Sequence, residues 1–324
     1  LLNLLPRGET NQRLDRLTRE RFQQAARLDP LTNLRGILMI YDRPPSFSEL
    51  PLPGNGPLLA PVAADCAPPA MQWKLWIYTN FDCNLRCSYC VAKSSPNAPR
   101  RALGLANVQR LVDEAVALGF SEIFFTGGEP FVLNDIYDML SFSAARVKTT
   151  VLTNAMILRG SRLQRLSAIA HENLHVQVSL DGATADDHDA YRGKGSWEKT
   201  LEGIRLLQEC GFRVRLSTTE TPVNSPRLEA VCELHRSLGI PDSDHFVRPL
   251  ARRGYSKEGL ELSMTNLLPE VTVSLEGVYW HPLSTDADML VSRRLFPLSA
   301  SVTHIQDQLA VIARTGSAGL MTFT

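Results

Sequence analysis

From Trp73 onward the hydrophobic and polar positions switch repeatedly between two rhythms. Short apolar runs bounded by Gly, Asn, Asp or Pro predict strands at Lys74–Thr79, Glu122–Thr126, Lys148–Thr153, His175–Leu180, Arg213–Thr219 and His245–Pro249. Between them the apolar residues recur at helical spacing, predicting helices at Asn107–Leu118, Asn134–Ala145, Ser161–Ala170, Ser196–Cys210 and Arg227–Leu238. Gly119, Gly211 and Gly239 stand where helices end in glycine. Strand–helix alternation at this spacing predicts an α/β fold. Six parallel strands joined by right-handed crossovers can curl into a partial barrel.

The flanks follow other patterns. Gly8 to Asp29 reads as a polar amphipathic helix carrying Leu14, Leu17 and Phe22, and Gly36 to Tyr41 as a short strand. Eight prolines from Pro44 to Pro69, with Gly54 and Gly56, exclude regular helix or a central strand, so that stretch is a connector or a wrap on the barrel exterior. After Pro249 a hairpin is expected from Glu270–Leu275 and Val278–Tyr279, and a second strand pair from Met289–Val291 and Val302–Ile305. Gln306–Arg314 is expected to close the chain as a short helix, with Ser317 to Thr324 as a tail, and the hairpins to cover the barrel mouth. Three regions result: an amino-terminal extension over 1–70, a barrel over 71–250 and a carboxy-terminal segment over 251–324 that contacts substrate or acts as a lid.

Composition narrows the partners. The chain has 324 residues, 44% of them hydrophobic, and 34 Lys and Arg against 34 Asp and Glu. With no basic tract, nucleic acid is not an indicated partner, and no apolar run is long enough to span a bilayer. Six cysteines in a chain able to bury a large core need not form disulfides, so a reducing cytoplasm is the expected compartment.

Half of those cysteines lie in eight residues, Cys83-x-x-x-Cys87-x-x-Cys90. Thiolates are soft ligands suited to iron–sulfur clusters or zinc. A 4Fe–4S cluster is usually held by four cysteines, so three would leave one iron open to another ligand. About forty residues on, Thr126-Gly127-Gly128-Glu129-Pro130 follows the apolar run SEIFF. Two glycines there let a ligand approach the backbone, and Glu129 would offer a carboxylate to an ammonium group.

This pair, in this order, resembles the radical S-adenosylmethionine (SAM) superfamily. Val151-Leu152-Thr153-Asn154, Val178-Ser179-Leu180-Asp181-Gly182 and His188-Asp189-Ala190-Tyr191-Arg192-Gly193 extend the likeness, which runs from about Trp73 to Pro249. It is similar to the branch holding the GTP 3′,8-cyclase of molybdopterin synthesis, the nitrogenase-cofactor maturases and the peptide-modifying enzymes. The resemblance implies an open (β/α)6 TIM-like barrel with the site at the carboxyl ends of the strands. It implies that Cys83, Cys87 and Cys90 hold a 4Fe–4S cluster whose open iron binds SAM, and that a reductant such as flavodoxin or ferredoxin supplies the electron that generates a 5′-deoxyadenosyl radical. It places Gly127, Gly128 and Glu129 at the SAM ammonium, Pro130 in the turn, and Tyr89 beside the adenine. Ser179 and Asp181 would bond the ribose or the methionine end, Arg192 the SAM carboxylate, and Thr153 and Asn154 would line the same cavity. No cysteine follows Cys232, so the auxiliary-cluster cysteines of that branch are missing and a single cluster is expected.

Three readings of function stand side by side. The first is radical chemistry on a small metabolite, as in cofactor or natural-product biosynthesis. The second is the same chemistry on a peptide, including epimerisation. The third is a non-catalytic iron–sulfur or zinc protein, with His171 or His188 as a further zinc ligand. Cys210 and Cys232 fall on predicted helices, where unpaired cysteines commonly act as small buried hydrophobes, but either is also a candidate hydrogen donor to a substrate radical. Cys66, in the proline-rich stretch, is incidental. His281, Asp286 and Asp288 are candidate substrate contacts or simple loop residues, and Trp73, Trp76 and Trp280 read as packing.

Overall fold

In the computed structural model the described residues are 73–170 and 172–315. The expected amino-terminal helix, the Gly36–Tyr41 strand, the proline-rich stretch with Cys66, His171 and the tail from Ser317 lie outside them. Trp73–Gln306 forms one compact unit built on a nine-stranded sheet. Strands β1 (Lys74–Tyr78), β2 (Glu122–Thr126), β3 (Lys148–Thr153), β4 (Leu174–Ser179), β5 (Val214–Glu220) and β6 (His245–Pro249) are parallel and paired in chain order. The crossovers carry α1 (Leu105–Ala117), α2 (Ile136–Ala144), α3 (Ser161–Ser167), α4 (Ala185–Arg192), α5 (Ser196–Glu209) and α6 (Leu228–Ser237). This is the partial TIM-like barrel. Every expected strand of the barrel is present within one residue at each end.

Strand pleating divides the side chains between two faces. Leu75, Ile77, Ile123, Phe125, Val151, Val176, Val178 and Leu216 take the helix-covered face and are buried. The lumen is layered. Trp76 stacks on Phe124 with ring centroids 4.2 Å apart, and above them Tyr78, Leu152, Ser179, Thr219 and Arg248 surround the mouth. Below, Glu122 closes the floor with bonds from Thr150 Oγ1 at 2.6 Å, Lys148 Nζ at 3.0 Å and Arg215 Nη1 at 3.2 Å. Burial pushes its carboxyl up, but those bonds and the two cations hold it below the usual carboxylate range.

Two elements differ from expectation. The segment from Ala185 to Arg192, read as a motif, is the helix α4. Thr184 caps it by accepting from Asp187 N, and Asp186 and Asp187 complement its amino end. Val302–Ile305 is not a strand but part of α7 (Leu298–Thr315), which begins earlier than expected. Leu298, Val302 and Ile305 fall on one helical face and are buried. The hairpin of β7 (Thr272–Ser274) and β8 (Gly277–Tyr279) is real, with β9 (Leu290–Ser292) beside it. It is docked in the sheet, with β7 pairing in parallel with β1 past that edge, and Pro282 and Leu283 after β8 line the cavity. Among the described residues no helix is long and apolar enough to cross a membrane.

Removing Glu122 takes from buried Arg215 the nearer of its two carboxylates, leaving Asp244 Oδ1 at 3.6 Å, whereas Lys148 is 41% exposed and can turn to water. Glu122→Ala should therefore lower stability by about 2 kcal/mol and Lys148→Ala by less than about 1 kcal/mol. Urea unfolding monitored by tryptophan fluorescence checks the contrast.

Candidate active site

A cavity of about 220 Å³ opens at the carboxyl ends of β1–β6. Cys83, Cys87, Cys90, Gly127, Gly128, Glu129, Thr153, Asn154, Ser179 and Arg192 all line it, joined by Tyr89. Residues separated by more than a hundred positions thus meet in one hollow. Pro130 is buried beside it in a short 3-10 turn, and Asp181 lies behind the wall.

The cysteine loop is anchored before its first sulfur. Past β1 the chain runs along the Gly127–Glu129 turn, with Gly128 N donating to Asn80 O at 2.9 Å and Glu129 N to Asp82 O at 3.0 Å. A Cβ on Gly127 would stand 2.4 Å from Asn80 O, and one on Gly128 2.1 Å from Asp82 O. Both glycines are therefore required by the neighbouring loop, not only by a ligand. Asn80 Nδ2 adds bonds to Asp82 O at 2.8 Å and to Glu129 O at 3.2 Å. Farther along, Asn84 and Asn154 pair through their amides, with Asn154 Nδ2 donating to Asn84 Oδ1 at 2.8 Å. Asn80 and Asn84 were not singled out in the sequence. Their signal was an asparagine beside each end of a strand–cysteine junction, which looks like ordinary turn chemistry.

Main-chain contacts hold the three-cysteine loop in place. Leu85 N donates to Cys83 Sγ at 3.3 Å and Ser94 N to Cys90 Sγ at 3.4 Å. Tyr255 N donates to Cys90 O at 3.1 Å, and Gly254 packs so closely there that a Cβ would lie 2.1 Å from the same oxygen. Burial pushes the Cys83 thiol up to about 12 and the Cys87 thiol up to about 11. A bound cation reverses that penalty, because it stabilises the thiolate directly. Among the described residues these three sulfurs do not form a set whose members all lie within 4.8 Å of one another, whereas all three line the same hollow. Spread sulfurs around one hollow suit a multi-iron cluster.

Glu129 lines the cavity, and its carboxylate also braces the neighbouring strand, accepting from Thr153 Oγ1 at 2.8 Å, Asn154 N at 2.9 Å and Phe131 N at 3.2 Å. Burial nevertheless outweighs these bonds and pushes its carboxyl up to about 7. Asp181 forms a second brace. Arg192 Nε donates to its Oδ2 at 2.6 Å, Tyr89 Oη donates to the same oxygen, and Thr219 N donates to Oδ1 at 2.8 Å. Burial works against the Asp181 charge, but Arg192 holds the carboxyl below its ordinary range. His188 Nδ1 accepts from Asp181 N at 3.1 Å, and burial drops that imidazole to about 4. The neutral ring serves the strand-four tip and does not face the cysteines. Tyr89 is thus tied to Asp181, with the Arg192 guanidinium 5.6 Å from its ring centroid.

One cationic donor was missed. Arg248, on β6, lines the cavity, and its buried Nε and Nη2 find no hydrogen-bond partner among the described residues. Burial holds its guanidinium below the ordinary value, offset in part by Glu270 and Tyr78. An arginine between Val and Pro in a short strand carries no motif, so only the curl of the sheet reveals it. Cys210 caps α5 and Cys232 lies on α6, and neither lines the cavity. His281 is buried, while Asp286 pairs with Lys93 at 3.0 Å and Asp288 with Arg253 at 2.7 Å, away from the hollow.

Because the folded-state Glu129 carboxyl titrates near 7 and the unfolded one near 4.5, its contribution to stability is full below 4.5 and fades as the pH rises through 7. Between pH 5 and 8 the loss should be roughly 2–3 kcal/mol. Glu129→Gln should flatten that part of the denaturation profile. An unchanged slope would place the titration elsewhere.

Comparison with known proteins agrees with this geometry. The sequence profile described as the Radical SAM superfamily matches residues 77–225. The AdoMet-dependent heme synthase of Methanosarcina barkeri (strain Fusaro / DSM 804) is 29% identical over 200 residues, covering 61% of this chain and 56% of its own. Mycofactocin maturase MftC of Mycolicibacterium smegmatis (strain ATCC 700084 / mc(2)155) is 29% identical over 188 residues, covering 57% and 46%. The chain therefore spans about half the length of these curated relatives. Streptococcus suis SuiB, solved with S-adenosylmethionine and with precursor peptide SuiA, shares the fold at a TM-score of 0.51 and 16% identity. The overlay covers 78% of this chain and 51% or 49% of SuiB. Enzymes of this kind use a 4Fe–4S cluster and SAM. With the cysteine loop, the Gly-Gly-Glu-Pro turn and the partial barrel in place, the barrel of this chain, matched over residues 77–225, is a radical SAM superfamily domain.

Proposed function

We propose that Cys83, Cys87 and Cys90 hold a 4Fe–4S cluster and that the chain uses it with SAM to remove a hydrogen atom from a substrate bearing a carboxylate or similar anion. When bound, the cluster and SAM supply reductive cleavage of the sulfonium and with it a hydrogen-abstracting radical. Everything else falls to the protein. Leu85 N and Ser94 N bond the sulfurs and so tune the potential of what they hold. Gly127 and Gly128 give the methionine end a wall without side chains, while Glu129 and Asp181 keep the tips of β3, β4 and β5 in register around it. Ser179, Thr153 and Asn154 line the remaining wall. Leu250, Ala251, Pro282 and Leu283 make the far side apolar, which excludes water from a reactive radical.

The observation that carries the substrate class is the Arg248 guanidinium, held in the wall with donors to spare. A buried guanidinium with two nitrogens unbonded is costly even beside Trp76 and Glu270, and a bidentate anion is its natural complement. A peptide supplies such a group as readily as a small acid. The peptide reading draws on the similarity to MftC, a maturase, and to SuiB, solved with a precursor peptide. The small-metabolite reading draws on the heme synthase. Electron donation would come from a flavodoxin or ferredoxin.

Anaerobically reconstituted protein should release 5′-deoxyadenosine from SAM under dithionite. Cys87→Ala should lose cluster absorbance and that release together, by more than about a hundredfold, while Cys210→Ala keeps both. Release by a cluster-free Cys87→Ala sample would refute the assignment. Arg248→Gln should leave SAM affinity within about threefold in equilibrium dialysis while weakening substrate-stimulated turnover roughly tenfold or more. A matching loss of SAM affinity would move the arginine to the SAM carboxylate instead.

A further inference from the structure

A second cluster of metal-seeking side chains lies outside the barrel lumen. Cys232, His235 and His245 each bring one donor atom to within 4.8 Å of the others, and none of them lines the cavity. His245 pairs with Leu216 in the register, so it takes the helix-covered face of β6, opposite to that of Arg248. Cys232 and His235, three residues apart on α6, share a helical face turned to that strand. The 3-10 turn Asp242–Asp244 brings the chain back between them, setting Asp242 Oδ1 3.5 Å from His235 Nε2.

Hydrogen bonds decide which ring nitrogens keep a lone pair. His235 Nδ1 lies 2.9 Å from the Ile240 carbonyl, which can only accept, so Nδ1 carries the proton and Nε2 the lone pair. The Thr218 hydroxyl spends its proton on Leu180 O at 2.7 Å, so it accepts from His245 Nε2 at 2.8 Å and leaves Nδ1 free to ligate. Fixing each imidazole through its far nitrogen is how proteins orient histidine on a metal. The rings sit side by side, centroids 4.4 Å apart and tilted by 55°. A sulfur and two imidazole nitrogens make a three-donor set, and Asp242, outside that set but 3.5 Å from His235 Nε2, offers the carboxylate that would complete tetrahedral zinc from two short segments, C-x2-H and D-x2-H. Asp242 also accepts from Arg236 Nε at 2.8 Å, and a carboxylate has lone pairs enough for both.

We propose that Cys232, His235 and His245, with Asp242 as the fourth ligand, form a structural zinc site that clamps α6 to the edge strand β6. Edge strands have one paired side only, and β6 ends the sheet. The clamp would hold the base of the strand whose far end carries Arg248.

The test must keep the two thiol sets apart. In the full chain carrying Cys83→Ser, Cys87→Ser and Cys90→Ser, stripped of metal with a chelator, Co2+ should bind with a single equivalent. It should give the visible ligand-field bands of tetrahedral coordination and a thiolate-to-cobalt charge-transfer band, both displaced by Zn2+. Adding Cys232→Ser should remove the charge-transfer band. Adding His245→Gln should weaken binding roughly tenfold or more, and Cys210→Ser should change nothing. Absence of the charge-transfer band in the folded background, or its survival in Cys232→Ser, would overturn the site. Should the serine background fail to fold, elemental analysis of the iron-loaded wild-type chain and its Cys232→Ser variant decides. One zinc lost at constant iron supports the proposal, and equal zinc content refutes it.

Discussion

The site depends on one contact between two loops, where the chain leaving β1 lies against the Gly127-Gly128-Glu129 turn leaving β2. Main-chain bonds from Gly128 N and Glu129 N to Asn80 O and Asp82 O make these neighbouring strand ends behave as a single surface. Any Cβ at either glycine would collide with the carbonyls that accept those bonds. Since Cys83 follows directly on Asp82, the position of the first sulfur is set by this seam. The later sulfurs are set from the far side, where Tyr255 N and Gly254 close on Cys90 O.

Around the seam the charged groups divide into braces and open donors. Glu129 and Asp181 are both buried carboxyls, but their surroundings send them in opposite directions. Glu129 has hydrogen bonds and no adjacent guanidinium in contact, and burial prevails. Asp181 has Arg192 at 2.6 Å, and the ion pair prevails. Each joins the tip of one strand to the next. The cavity wall is consequently stiff, which suits a site that must position a radical precursor against one bond of its substrate. Arg248 is the exception, a guanidinium that the protein surrounds without pairing through Nε and Nη2. The proposed anionic substrate class rests on those two unbonded nitrogens in the cavity wall.

Much of this was legible in the residues. Strand–helix alternation was readable because buried parallel strands are short apolar runs and the crossover helices are amphipathic. The α4 helix escaped because its eight residues contain few apolar ones and its stability rests on Thr184 and a favourable charge order. Val302–Ile305 looked like a strand because a short apolar segment satisfies both periods, and only the buried face shared with Leu298 separates them. The cysteines and Gly-Gly-Glu-Pro declared their chemistry by spacing, but the use of each side chain did not follow. Glu129, Tyr89 and Arg192 line the cavity as expected, and each is also engaged with partners from other segments, which their spacing did not reveal.

By itself, then, the sequence determined which ligands were present and in what order the barrel units came, because ligand type and hydrophobic period are local properties. Tertiary structure decided which polar groups remained open, since that depends on what each one meets after the sheet curls. Arg248 and the pairing of Cys232 and His235 with Asp242 and His245 are decided there. So is the parallel docking of β7 on β1, which ties the segment that brings Pro282 and Leu283 to the cavity into the sheet. Each is a contact between segments whose chemistry is unremarkable until folding brings them within a few ångströms.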